Sequence, residues 1–155
     1  MKKIIFLVGT ANGGKSTTLN GLKGNKNQRI IDINGCKVRV KNMSNCDECF
    51  EEYLKKIKKI LQKFDVLIVS LCIDEEKHKC GKLFDEICNR INQLKAEKYF
   101  FVIKNGKNKS VDIQKLDCFT KHDITLCDNQ SVGCVDEFLD YLNSLYICDQ
   151  FKEKK

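Results

Sequence analysis

The chain contains no proline and no tryptophan, only three arginines and two histidines, and no apolar run approaching the roughly 20 residues that a membrane-spanning helix needs. The last of these absences argues against a helical membrane span, and the expectation is a soluble protein. Nucleic-acid interfaces depend on clustered arginines interleaved with exposed aromatics, which grip phosphates and stack on bases. Neither pattern stands out in the sequence, so nucleic acid is not an expected partner. The formal charge of +7 is carried by lysines scattered over nearly every helix and loop, the pattern of a solvated surface. The missing proline and tryptophan, beside many Lys, Asn and Ile, follow genome composition and carry no functional reading. No Ser/His/Asp or Cys/His set stands at an interpretable spacing, and His78 and His122 read as surface residues of charged, loop-like stretches.

Ten cysteines could suggest a disulfide framework. Such frameworks belong to small secreted domains that lack a core and carry a targeting segment. The N-terminus offers an apolar run of only five residues (4–8) before it enters a glycine turn, too short for a secretion signal, and it reads as a buried first strand. Cys72 in an apolar strand and Cys88 on the apolar face of a helix read as free thiols acting as small hydrophobes. A reducing, cytoplasmic setting is therefore expected. With 155 residues, no internal repeat and no dividing linker, the chain suits one domain over residues 1–150, with a charged tail at 151–155 that frays.

Periodicity supplies the element order. Residues 4–8 form a short continuous apolar run, as in a strand buried on both faces, and a helix is predicted from about Lys15 to before Gly24. Residues 25–28 are polar and turn-prone. The runs 29–33 and 36–40 flank Asn34-Gly35, the dipeptide most typical of a two-residue turn, and predict an antiparallel hairpin at about residues 29–41. Phe50, Tyr53, Leu54, Ile57, Ile60, Leu61 and Phe64 recur at helical spacing with lysines opposite. Residues 66–73 read as a strand, followed by a helix marked by Leu83, Phe84, Ile87, Cys88, Ile91 and Leu94. A strand at 99–103, a weak helix at 113–119, a short strand at 124–127 and a last helix with Val135, Phe138, Leu139, Leu142 and Leu145 inward complete the chain. The alternation predicts an α/β fold: a mostly parallel sheet with helices on both faces, and ligands at the carboxyl ends of the strands.

Gly9-Thr10-Ala11-Asn12-Gly13-Gly14-Lys15-Ser16 fits the phosphate-binding pattern G-x-x-x-x-G-K-[ST], placed after a buried strand and before a helix. Glycines at Gly9, Gly13 and Gly14 let the backbone curl, so that N–H groups, Asn12 among them, point at phosphate oxygens while the following helix presents its positive end. Lys15 is expected to neutralise the β- and γ-phosphates as the catalytic group, and the Ser16 hydroxyl to coordinate Mg²⁺. Thr17 can donate to the α-phosphate or support the helix start. A chance glycine-rich turn would not be expected to supply the lysine, the serine and both flanking elements together.

With this motif, the early hairpin and the later strand–helix order, the chain resembles the small P-loop GTPases of the Ras-like type. The resemblance covers nearly the whole chain in topology, with the P-loop as the one matching sequence motif. Where that family carries D-x-x-G, this chain has Asn42-Met43-Ser44-Asn45. Asn42 supplies no carboxylate to the metal's water shell, and Asn45 is less suited than glycine to turn its N–H onto a γ-phosphate. Where the family reads guanine with N-K-x-D, the chain has Asn105-Gly106-Lys107-Asn108; Asn105 matches, and Asn108 replaces the acid whose two oxygens pair with the base. The resemblance thus implies GTP or ATP as ligand, with a weakened guanine preference. At the S-A-K station the chain reads Asp128-Asn129-Gln130 and offers no support.

A second carboxylate candidate for Mg²⁺ is Asp74, which ends the strand at 66–73; many P-loop ATPases bind the metal through an acid so placed. The competing role is an ordinary loop acid that caps the next helix. Asp32 is a weaker candidate, since a polar residue beside the hairpin turn accounts for it. Cys46 and Cys49 form one CxxC, which His78 and Cys80 could complete as a zinc site; it could instead be redox-active at a helix start, or simply two unremarkable thiols. Three functions follow. The first is a slow Mg²⁺-dependent nucleoside triphosphatase or switch, acting with a protein effector. The second is a nucleotide-binding interaction module without efficient hydrolysis. The third is a small nucleoside or nucleotide kinase, ranked last because Arg29, Arg39 and Arg90 form no cluster in the sequence.

Overall fold

The computed structural model describes residues 2–9, 15–24, 27–43, 49–73, 84–104, 111, 113–119, 123–127 and 133–145. Its elements run β1 (Lys3–Gly9), α1 (Lys15–Leu22), β2 (Ile30–Ile33), β3 (Cys36–Lys41), α2 (Phe50–Leu61), β4 (Val66–Cys72), α3 (Phe84–Asn92), β5 (Glu97–Ile103), a 3-10 turn (Ile113–Cys118), β6 (Asp123–Cys127) and α4 (Gly133–Ser144). The continuous apolar runs of β1 and β4 are buried at every position, as expected for central parallel strands. They pair with each other in the register Lys3↔Val66 through Gly9↔Cys72.

The six strands lie in the order β2-β3-β4-β1-β5-β6. Every neighbouring pair is parallel except β2 and β3. That exception is the expected hairpin, and Asn34 and Gly35 both take positive φ, 53° and 84°. A two-residue turn with both central residues left-handed matches the twist of the strands it joins. The sheet is mixed, parallel through its centre.

Alternate residues of each strand feed two cores. On one face Ile4, Phe6, Val8, Leu67 and Val69 pack with Tyr53, Leu54 and Ile57 of α2 and with Ile87 and Ile91 of α3. On the other, Ile5, Leu7, Val38, Ile68 and Phe101 pack with Leu19 of α1 and with Phe138 and Leu142 of α4. Helices therefore cover both faces of one α/β sheet. The inward stripe of α4 departs from expectation at one place. Cys134, Phe138, Tyr141 and Leu142 are buried, whereas Leu139 is 40% exposed. Residue 139 stands about 100° around the helix from Phe138, just outside the stripe that i, i+4, i+7 and i+8 define.

The cysteines require a second correction. Cys88 is joined to Cys118 as a disulfide, tying α3 to the 3-10 turn, and Cys72 is disulfide-bonded as well. The apolar pattern placed Cys88 and Cys72 in the core correctly, at 1% and 0% exposure. It carries no information about which sulfur lies opposite. Neither residue supports the earlier argument for a reducing setting. Among the described residues, no helix is long and apolar enough to cross a membrane.

Candidate functional site

β1 ends at Gly9, and Gly9 is boxed in from three sides. Its carbonyl accepts the Ile73 N–H from just past β4 at 3.2 Å. A Cβ built on it would stand 3.8 Å from the Ile103 carbonyl of β5 and 3.3 Å from Cγ of Lys15. The last distance is tighter than an ordinary carbon contact, which is why a residue without a side chain suits the spot. The carboxyl ends of β4, β1 and β5 thus meet at the first residue of the glycine-rich motif.

Lys15 opens α1 and is only 8% exposed. Its stem runs along Gly9, and its Nζ donates to the Gly9 carbonyl at 3.4 Å. Burying an ammonium is costly unless acceptors or an anion meet it. The geometry holds that charge at the strand edge, beside the turn. Ser16 and Thr17 follow on the first turn of α1 and are exposed. The Ser16 hydroxyl donates to Oδ1 of Asn42 at 3.4 Å, and Nδ2 of Asn42 donates to Oδ1 of Asn20 at 3.3 Å. Asn42, just past β3, therefore reaches the hydroxyl expected to hold the metal, although β4 lies between β3 and β1 in the sheet. It arrives there as a neutral amide.

Asn12, Gly13, Gly14, Asp74, Asn105 and Asn108 lie outside the described residues. The chain on either side of them is described. Ile73, whose N–H bonds the Gly9 carbonyl, is the last described residue before Asp74. Lys104 donates its N–H to the Cys127 carbonyl at 2.7 Å and accepts the Val111 N–H at 2.8 Å. Lys104 and Val111 are thus paired at the carboxyl end of β5. Asp32 takes the bland role foreseen for it, accepting the Gly35 N–H at 2.8 Å inside the hairpin turn. Cys46, His78, Cys80 and His122 are also outside the described residues, and among those described no three His, Cys, Asp or Glu side chains form a metal-sized group.

One feature was missed in the sequence. Arg29 and Arg39, ten positions apart, come together across the hairpin: Nη1 of Arg39 donates to the Arg29 carbonyl at 3.3 Å. Both line a cleft of about 380 Å³ with Lys23, Lys41 and Lys56. A two-residue turn at 34–35 sets the backbone of position 29 opposite position 40, and Val40 N–H indeed bonds the Arg29 carbonyl at 2.8 Å; the reach of the Arg39 side chain back to that carbonyl is not given by the register. The third arginine, Arg90, is committed elsewhere. Its guanidinium grips Glu51 through two hydrogen bonds of 2.5 and 3.0 Å, linking α3 to α2, and this contact raises its pKa further. The premise that ranked a kinase last, arginines without a cluster, does not hold for Arg29 and Arg39. No family model, no curated protein and no solved structure matches this chain.

Proposed function

We propose that the chain binds a nucleoside triphosphate with Mg²⁺ at the motif Gly9 to Ser16, as a P-loop protein resembling the Ras-like GTPases, and hydrolyses it slowly. The observation that carries this reading is the placement of Lys15, a buried ammonium folded onto the Gly9 carbonyl where three strand ends meet. Ligands of α/β sheets bind at such carboxyl edges. There Lys15 counters the charge of the β- and γ-phosphates, and the N-terminal end of α1 would present its free backbone N–H groups to the same anion.

The Ser16 hydroxyl and the Asp74 carboxylate would hold Mg²⁺, an all-oxygen set that suits this ion. Bound there, the metal would supply positive charge to offset that of the phosphates. Ser16 fits the role because its hydroxyl is exposed and oriented by Asn42. The described contacts place no side chain to position an attacking water, which is why slow turnover is expected. The neutral Asn42 at this station favours a second reading, a nucleotide-dependent interaction module that holds nucleotide for a protein effector without efficient hydrolysis. Asn105 beside Asn108 leaves GTP and ATP both acceptable as ligands. A cytoplasmic setting belongs to the same reading, carried by the ligand and no longer by the thiols.

Calorimetric titration with ATP, GTP and their diphosphates, with Mg²⁺ and with chelator, tests the proposal. Triphosphate binding should depend on Mg²⁺ and weaken roughly hundredfold in Lys15→Ala, the size of loss seen when one partner of a buried charge pair is removed. Failure of both triphosphates to bind the folded wild type would sink it. Phosphate release that vanishes in Lys15→Ala separates the hydrolase from the module.

A further inference from the structure

The cleft beside the hairpin gathers Lys23 from the end of α1, Arg29, Arg39 and Lys41 from the hairpin, and Lys56 from α2. Five cations line about 380 Å³, and no described residue lining that space is acidic. Lys41 and Lys56 each have a further interaction of their own, which leaves Lys23, Arg29 and Arg39 as the charges crowded against one another. The sequence causes this crowding. Strand alternation buries Val38 and Val40 on one side of β3 and turns Arg39 and Lys41 to the other. Lys56 comes from the polar side of α2, whose apolar stripe is spent on the core. Burial, and then Arg39, hold the Lys23 ammonium below its ordinary pKa; burial, and then Arg29, do the same to the Arg39 guanidinium. Like charges are thus held together at a free-energy cost, which a counter-anion would relieve.

The geometry points to a second ligand site, separate from the phosphate-binding turn, that takes a compact molecule bearing two or more phosphate groups. Three features select that class. The volume lies in the range of small-ligand pockets, well short of a groove for a macromolecule. Phosphates deliver up to two charges per group, so they match the crowded Lys23, Arg29 and Arg39 in a small space better than carboxylates do. Among the described residues no aromatic side chain lines the cleft, so bases find no described ring to stack on. Asn42 lines the cleft and also touches Ser16, which makes the two sites neighbours. This inference does not depend on nucleotide binding at Lys15.

The test is a titration of the full chain with tripolyphosphate, inositol trisphosphate and orthophosphate, without Mg²⁺, in the wild type, Lys15→Ala, Arg29→Ala/Arg39→Ala and Lys23→Ser/Lys56→Ser. Thermal melts confirm that each variant is folded, and the lysine pair is included because Arg39 also bonds backbone carbonyls of the hairpin. Tripolyphosphate and inositol trisphosphate should bind the wild type and Lys15→Ala within about threefold of each other. They should weaken at least tenfold in either cleft variant and with rising salt, as several ion pairs require. Vesicles carrying a phosphoinositide bisphosphate form a second arm. Binding to them as well as to the soluble probes supports the site and assigns it a lipid headgroup; binding to the soluble probes alone supports it and assigns a free ligand. The proposal is overturned if the soluble probes fail to bind, if orthophosphate binds equally well, if affinity follows Lys15 and ignores the cleft variants, or if a single-stranded oligonucleotide or an acidic peptide binds more tightly than either probe.

Discussion

The Ser16 hydroxyl and the Asn42 amide lie 3.4 Å apart, and the chemistry available there turns on one atom. An amide oxygen accepts a hydrogen bond but brings no charge, whereas a carboxylate in the same place would add an anion beside the hydroxyl proposed to hold Mg²⁺. Asn42→Asp should therefore tighten metal binding in the nucleotide complex. A gain of one charge-assisted contact is worth roughly a tenfold drop in the Mg²⁺ concentration for half-saturation, read by titrating Mg²⁺ against bound triphosphate. Asn42→Ala should leave that midpoint nearly where it is, because a neutral group has been lost. If Asn42→Asp fails to move the midpoint, the metal lies away from Asn42, and Asp74 remains as its proposed acid. Position 42 was legible in the sequence as a departure from the resemblance. Its contact with Ser16 was not, because it spans 26 positions and needs α1 and the end of β3 side by side.

At the scale of elements, α1 is held on the sheet largely by its contact with α4, and that contact depends on Gly21. A Cβ at Gly21 would stand 2.5 Å from Cγ2 of Val135, nearer than real carbon contacts come. Gly21→Ala improves helix propensity by about 1 kcal/mol in isolation. Here it overpacks the junction, which typically costs about 1–3 kcal/mol, so the net effect should be neutral to destabilising by up to about 2 kcal/mol. The double variant Gly21→Ala/Val135→Ala should be more stable than Gly21→Ala alone, since removing the valine methyls reopens the space. Denaturant unfolding of the single variants and the double gives the coupling directly. No coupling would mean that α1 and α4 do not meet through these two residues. The elements themselves were legible because their signals are local: an Asn-Gly turn, two strands dominated by apolar runs and the 3.6-residue stripe of α2. What failed was local reading applied to a tertiary question. Leu139 looked like core because it is apolar and near the stripe, and the arginines looked scattered because the hairpin had not yet been folded in register.

Across the whole molecule, the contacts that no pattern reveals are those joining distant segments, and the Cys88–Cys118 disulfide is the plainest case. It closes a loop with a sequence separation of 30 that contains β5, and it ties α3 to the 3-10 turn on the same face of the sheet. Cross-linking a loop of that length removes conformational freedom from the unfolded chain and should stabilise the fold by about 3–4 kcal/mol. Cys118 is exposed and Cys88 buried, so Cys118→Ser breaks the link while leaving the core packing of α3 in place. Under oxidising conditions Cys118→Ser should unfold at lower denaturant than the wild type by an amount near that value. Under a strong reductant the two should converge, both falling further as the bond at Cys72 opens. A difference that persists unchanged in reductant would show that Cys118 contributes through packing and not through the cross-link. Convergence would also make the ligand edge redox-dependent: the bonded pair Lys104 and Val111, at the carboxyl end of β5, lies within the closed loop, so nucleotide affinity should weaken on reduction in the wild type and remain unchanged in Cys118→Ser, apart from whatever the bond at Cys72 adds to both.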